Sequence, residues 1–127
     1  MPKNGPLSSK KKALALAEAA YDKKAENIVI LKMSKLTDFT DYFIICSADS
    51  DRGVKTIVEN VEAKCKELGE IILGTEGLKE SKWVLIDSAD VIVHVFYDPI
   101  RAEFDIESLW NEAPRVELHF EQEQIAR

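Results

Sequence analysis

The apolar positions of this chain fall into two kinds of run, one recurring at helical spacing and one continuous over five to seven residues, separated by short polar punctuation. Residues 1–8 read as a flexible leader containing Pro2, Gly5 and Pro6. Ser8 or Ser9 is placed to cap a helix reaching about Lys24, rich in alanine and leucine from Ala13 to Ala20. The lysines near its start, Lys10, Lys11 and Lys12, are read most simply as a solvated face. Asn27 to Lys32 and Tyr42 to Cys46 are strands apolar on both faces, which predicts central strands covered by helices on each side. The polar loop between them, Ser34 to Asp41, holds Leu36 and Phe39.

Asp49 or Ser50 then opens a second helix, with Val54, Ile57, Val58, Val61, Cys65 and Leu68 along one stripe and Gly69 ending it. Glu70 to Leu73 predicts a short third strand, broken by Gly74 and Gly77. Trp83 to Asp87 and Val91 to Phe96 flank only three residues, Ser88-Ala89-Asp90, so they predict an antiparallel hairpin. Asp98-Pro99 signals another helix start, with structure continuing to about Trp110 and a restart near Asp105. Pro114 stops it, and Arg115 to Phe120 alternates as an edge strand or hangs free. The order is α-β-β-α-β-β-β-α. It predicts one α/β domain over residues 9–113, a mixed sheet flanked by helices on both faces, with residues 114–127 as a C-terminal tail.

Composition changes this picture little. The chain of 127 residues carries 46% apolar and 31% charged residues, an ordinary globular balance that needs no staples. Cys46 and Cys65 sit in apolar runs and read as reduced core residues. There is no apolar run of membrane-spanning length, no secretory h-region and no arginine-rich transit segment, so a cytoplasmic protein with no membrane partner is expected. The net charge of −6 weighs against wholesale binding to nucleic acid.

Candidate chemistry is sparse. Asp87 and Asp90 are the obvious carboxylate pair for a divalent metal, but their spacing of three straddles a turn. No glycine-rich phosphate cradle lies upstream, since the loop after the second strand reads Ser47-Ala48-Asp49-Ser50. A Cys46–His94 nucleophile pair lacks a third, orienting group, and His94 between Val93 and Val95 reads better as a hydrogen-bonded, partly buried residue. No cofactor or metal is expected. What remains is a run of aromatics, Trp83, Phe96, Tyr97, Phe104 and Trp110, interleaved with Asp87, Asp90, Asp98, Glu103, Asp105 and Glu107. Each aromatic alone is as readily core as surface. Together they suit a macromolecular interface, with acids that would steer a basic partner.

These same residues carry a family resemblance. Glu76-Gly77, Trp83-Val84-Leu85-Ile86-Asp87, Asp90-Val91, Val93-His94-Val95-Phe96, Arg101 and Leu109-Trp110 resemble the signature of the ribosomal silencing factor family, RsfS, also called Iojap. Upstream, Asp41 to Ser47 and Ser50-Asp51-Arg52 fit its first block. The resemblance implies a nucleotidyltransferase-like fold without an active site. It also implies binding to the large ribosomal subunit through ribosomal protein fourteen, no sequence-specific contact with nucleic acid, a block on joining with the small subunit, translational repression when nutrients are scarce, and a homodimer. The expected contact residues are Trp83, Asp87, Asp90, Arg101, Glu103, Phe104, Asp105 and Leu109. A metal-dependent nucleotidyltransferase-like enzyme using Asp87 and Asp90 is the alternative, and a self-associating scaffold a third reading. The chain departs from the family pattern at Ala48, Ser88, Ala89, Phe104 and Ile106. Ala89 for glycine should tighten the hairpin turn, and Ser88 should lack an aromatic anchor.

Overall fold

The parallel pairing of two buried strands organises the domain. In the computed structural model, which describes residues 7–119, the elements are α1 (Ser9–Asp22), β1 (Glu26–Lys32), β2 (Tyr42–Ala48), α2 (Asp51–Glu67), β3 (Gly74–Glu76), β4 (Trp83–Ser88), β5 (Val91–Tyr97), α3 (Asp98–Phe104) and α4 (Ile106–Leu109). They build one mixed sheet of order β1-β2-β5-β4-β3 in which only β2 and β5 run parallel. Residues 1–6 of the expected leader and 120–127 of the expected tail lie outside the described residues.

Strand alternation sorts the side chains into two layers. One face presents Ile28, Ile30, Ile44, Cys46, Val84, Ile86, Val91, Val93 and Val95 to α1 and α2. Leu16, Ala17 and Ala20 of α1 let that helix lie close to the sheet, while Val54, Ile57, Val58 and Val61 form the buried stripe of α2. The other face carries Leu31, Phe43, Ile45, Ile92 and Phe96, covered only in part by Ile100, Ile106 and Trp110 from the short helices and the segment after them. Helices therefore lie on both faces, but the second layer is thin.

The helix ends follow local rules. Ser8 caps α1 through Lys11 N–H, and Ser50 caps α2 through Gly53 N–H. Gly69 at φ 71° completes a Schellman end in which Glu70 N–H bonds Cys65 O and Gly69 N–H bonds Lys66 O.

Four expectations need correction. Lys12 is not solvated: it is 1% exposed, because it shares the inward stripe of α1 with Leu16 one turn on. β1 is marginal rather than central, with its outer edge met by residues 114–116 through Lys32 N–H to Pro114 O and Val116 N–H to Ile30 O. Its burial on both faces comes from the covering layers. The third strand begins where Gly74 pairs with Asp87 and spans Gly74–Glu76, not residues 70–73, and the apolar Ile71 and Leu73 remain exposed. Ser88 points into the helix-side core, where its hydroxyl donates to Ile71 O, so that position presents nothing on the opposite face.

The alanine of the β4–β5 turn, which the family pattern implied would tighten the turn, takes a backbone conformation that favours glycine. Ala89 sits at φ 66°, in the left-handed region that a Cβ disfavours by roughly 1–2 kcal/mol. Against that stands the extra chain entropy that glycine adds to the unfolded state. Ala89→Gly is expected to stabilise the fold by about 0.5–1 kcal/mol and to raise the melting temperature by about 2–5 °C in thermal unfolding followed by circular dichroism. A lowered melting temperature would show that the turn is not strained.

Candidate interaction face

Four aromatics of the run, Trp83, Phe96, Phe104 and Trp110, gather on the thinly covered sheet face, whereas Tyr97 alternates to the helix-side layer. Trp83 and Phe96 are directly opposite on β4 and β5, with ring centroids 4.9 Å apart at 26°. Phe104, at the end of α3, closes over Trp83 from outside at 5.0 Å. Phe43 continues the cluster toward β1, 4.6 Å from His94 and 6.0 Å from Trp110, and Phe39 of the β1–β2 loop lies beyond it at 6.2 Å. Phe96 is fully buried and Trp83 and Trp110 half-buried, whereas Phe104 is 52% and Leu109 74% exposed. The set is too large for so thin a layer, and part of it meets solvent.

Local geometry fixes the anchor. Trp83 opens β4, where alternation puts Trp83, Leu85 and Asp87 on this face and Val84, Ile86 and Ser88 against the helices. Gly77, at φ 89°, passes so close to the Trp83 carbonyl oxygen that any Cβ there would collide with it. Glu76, Gly77, Trp83 and Leu85 line a shallow cleft of ≈ 240 Å³ beside the indole. Leu85 was not among the expected contacts, although the same period-2 reading places it next to Trp83.

The charged candidates separate into exposed and committed groups. Glu103 and Asp105 are exposed and flank Phe104 in the chain, and Asp87 is half-buried on the same side of β4 as Trp83. Arg101 is committed: Nε and Nη2 donate to the two carboxylate oxygens of Glu107 at 2.9 and 3.1 Å, and Nη1 donates to Ser47 Oγ at 3.1 Å. This fork ties α3 to α4 and both to the end of β2, and so holds Phe104 and Leu109 in place.

Asp90 faces away from the patch. Its Oδ1 is 2.7 Å from Lys12 Nζ, which also donates to Ser88 O at 2.7 Å and meets Glu70 Oε1 at 3.2 Å. Ser9 Oγ lies 2.8 Å from carboxylate oxygens of both Asp41 and Asp90, and its single proton serves one of them at a time. Burial pushes the Asp90 carboxyl up, but the bonds from Lys12 and Ser9 and the Lys12 charge outweigh it and hold the group below its usual range. Sequence reasoning missed Lys12; its four-residue offset from Leu16 was the available signal.

The carboxylate pair therefore does not converge. Asp87 stays on the aromatic face, where Oδ1 accepts Ala89 N–H at 3.0 Å, while Asp90 turns to α1. Among the described residues no three His, Cys, Asp or Glu side chains gather as a metal site. Cys46 and His94 project to opposite faces of the sheet, because His94 is in register with Ile45, and burial raises the Cys46 thiol to about 12. Among the described residues no helix is long and apolar enough to cross a membrane.

Known proteins are similar to this chain in sequence and in fold. Residues 6–127 match the model of the RsfS family, described as ribosomal silencing factor during starvation. The chain is 41% identical over 111 residues to ribosomal silencing factor RsfS of Halalkalibacterium halodurans, covering 87% of this chain and 95% of that one. It is 39% identical over 113 residues to the Bacillus subtilis protein of the same name, covering 88% and 96%. A crystal structure of a Chromobacterium violaceum protein superposes with a TM-score of 0.81 at 38% identity, covering 83% of this chain and 88% of the other.

The Lys12 cluster yields a test by pH. A carboxyl held low in the folded state stabilises the fold above the ordinary aspartate pKa, near 4, and that contribution is lost as pH falls through the depressed folded value. Asp90→Asn is expected to cost about 1–2 kcal/mol in urea unfolding at pH 7, a modest figure because the carboxylate is 34% exposed. The gap between variant and wild type is expected to narrow toward pH 2.5. An equal gap at both pH values would mean that the ion pair is not the stabilising element.

Proposed function

Because the chain belongs to the RsfS family of ribosomal silencing factors, we propose that it is a translational repressor that works by occupying a surface, with no bond made or broken. In this reading it binds the large ribosomal subunit through ribosomal protein fourteen, covers part of the face that meets the small subunit, and keeps the subunits apart when nutrients are scarce. The observation that carries it is the partly exposed aromatic face of Trp83, Leu85 and Phe104, left open where the sheet's second layer thins, with Asp87 on the same side of β4.

The chemistry suits a basic protein partner. Half-buried aromatic anchors supply apolar contact, and Asp87, Glu103 and Asp105 would steer a lysine- or arginine-rich surface into register. A standard interface of roughly 1,200–2,000 Å² is enough for stable binding. Arg101 and Asp90, spent on internal ion pairs, contribute by holding the frame. The protein acts in the cytoplasm, and self-association as a homodimer belongs to the same reading, checked by sedimentation of the protein alone.

Mixing the purified protein with separated subunits tests the whole proposal. It is expected to co-sediment with large subunits and not small ones, and to reduce the yield of joined ribosomes. Trp83→Ala is expected to weaken large-subunit binding by about 2 kcal/mol, roughly thirtyfold, while circular dichroism shows an intact fold. Undiminished binding by a folded Trp83→Ala protein would remove this face from the interface. Metal-dependent nucleotide binding lost in Asp87→Asn would instead favour a nucleotidyltransferase-like enzyme.

A further inference from the structure

His94 is a residue that the docking proposal does not use, yet it sits at the centre of the face. Its imidazole is almost fully buried among Phe43, Trp83 and Phe96, with ring centroids at 4.6, 6.1 and 6.4 Å. Trp83 Nε1–H donates to His94 Nδ1 at 3.1 Å. An indole nitrogen only donates, so Nδ1 must be bare and the proton of the neutral ring must lie on Nε2. That Nε2–H is buried and has no hydrogen-bond partner among the described residues.

The arrangement is costly as packing alone. A phenylalanine would fill the same apolar place without stranding an N–H. The imidazole is explained by its other nitrogen, which receives the one polar atom of Trp83. Without that acceptor the indole N–H would face apolar rings, and the half-buried ring would be free to turn between Phe96 and Phe104. We propose that His94 is a positioning residue of the interaction face, which in its neutral Nε2–H tautomer fixes the orientation of the Trp83 indole that a partner docks against. The inference rests on the docking proposal for its consequence, while the His94–Trp83 contact is tested separately.

Electrostatics agree with the geometry. Burial drives the His94 pKa down to about 4. The groups packed on the ring from β2 and β4 are Phe43, Ile45, Trp83 and Leu85, none of them charged. The ring therefore stays neutral across the physiological range. Protonation would put a second donor against the indole N–H and break the bond, so the neutral form both keeps the fold's stability and keeps Trp83 oriented.

The test uses the two indole N–H signals of isotopically labelled full-length protein, with that of Trp83 identified by its loss in Trp83→Phe. In wild type the Trp83 N–H is expected to exchange at least about tenfold more slowly than in His94→Phe, and its signal to move as pH falls toward about 4. His94→Phe, folded by circular dichroism, is expected to weaken large-subunit binding about fivefold, the scale of one hydrogen bond. His94→Asn, which restores an acceptor oxygen near the place of Nδ1, is expected to recover most of that loss. Unchanged indole exchange in His94→Phe would overturn the contact. A freed indole with undiminished binding, while Trp83→Ala still loses it, would overturn the positioning role. If Trp83→Ala itself binds normally, the docking reading falls and this role falls with it, whereas slow exchange in wild type would still establish the His94–Trp83 bond.

Discussion

Two adjacent parallel strands, both buried on both faces, set the terms for everything else in this fold. β2 and β5 pair from Tyr42 with Val91 through Ala48 with Tyr97, so each residue on one strand commits its neighbour on the other to the same side. Alternation then leaves no freedom: the valines of β5 go to the helix layer, and Ile92, His94 and Phe96 go to the opposite layer. A one-residue slip would exchange the two sets and bury the wrong face. The aromatic face is thus a consequence of the same register that builds the core.

The two layers are closed by different means. On the helix side α1 and α2 bring long apolar stripes, and Lys12, the one fully buried cation there among the described residues, is met by Asp90, Glu70 and the Ser88 carbonyl. A lysine buried without such partners would be strongly destabilising. The cluster ties α1 to the β4–β5 turn and to the segment after α2, three places far apart in the chain. On the other side two short helices, pinned by the Arg101–Glu107 fork, cover only part of the sheet. The uncovered part is where Trp83, Leu85 and Phe104 meet solvent. The helix-side layer is closed, whereas the other leaves part of its aromatic and apolar side chains at the surface.

Much of this was legible from the chain. Helix α2, the hairpin and the restart at Asp105 followed from local spacing, caps and turn chemistry, because each depends on residues within a few positions of one another. The grouping of Trp83 with Phe104 was suspected from composition, but contact required the turn of α3 back over β4. The fates of Arg101 and Asp90 were not legible. Their partners Glu107, Ser47, Lys12 and Ser9 include residues dozens of positions away, and nothing local distinguishes a committed charge from a free one.

The sequence by itself determined which residues alternate, which recur at helical spacing and where the chain must turn, since backbone geometry enforces those periods wherever the segment ends up. The tertiary structure alone decided what each face would meet. It placed β1 at the margin, began β3 at Gly74, buried Lys12, turned Ser88 inward and brought the Trp83 indole to His94. Those outcomes depend on long-range pairing, in which a side chain's environment is supplied by segments that its own neighbours in the chain do not specify.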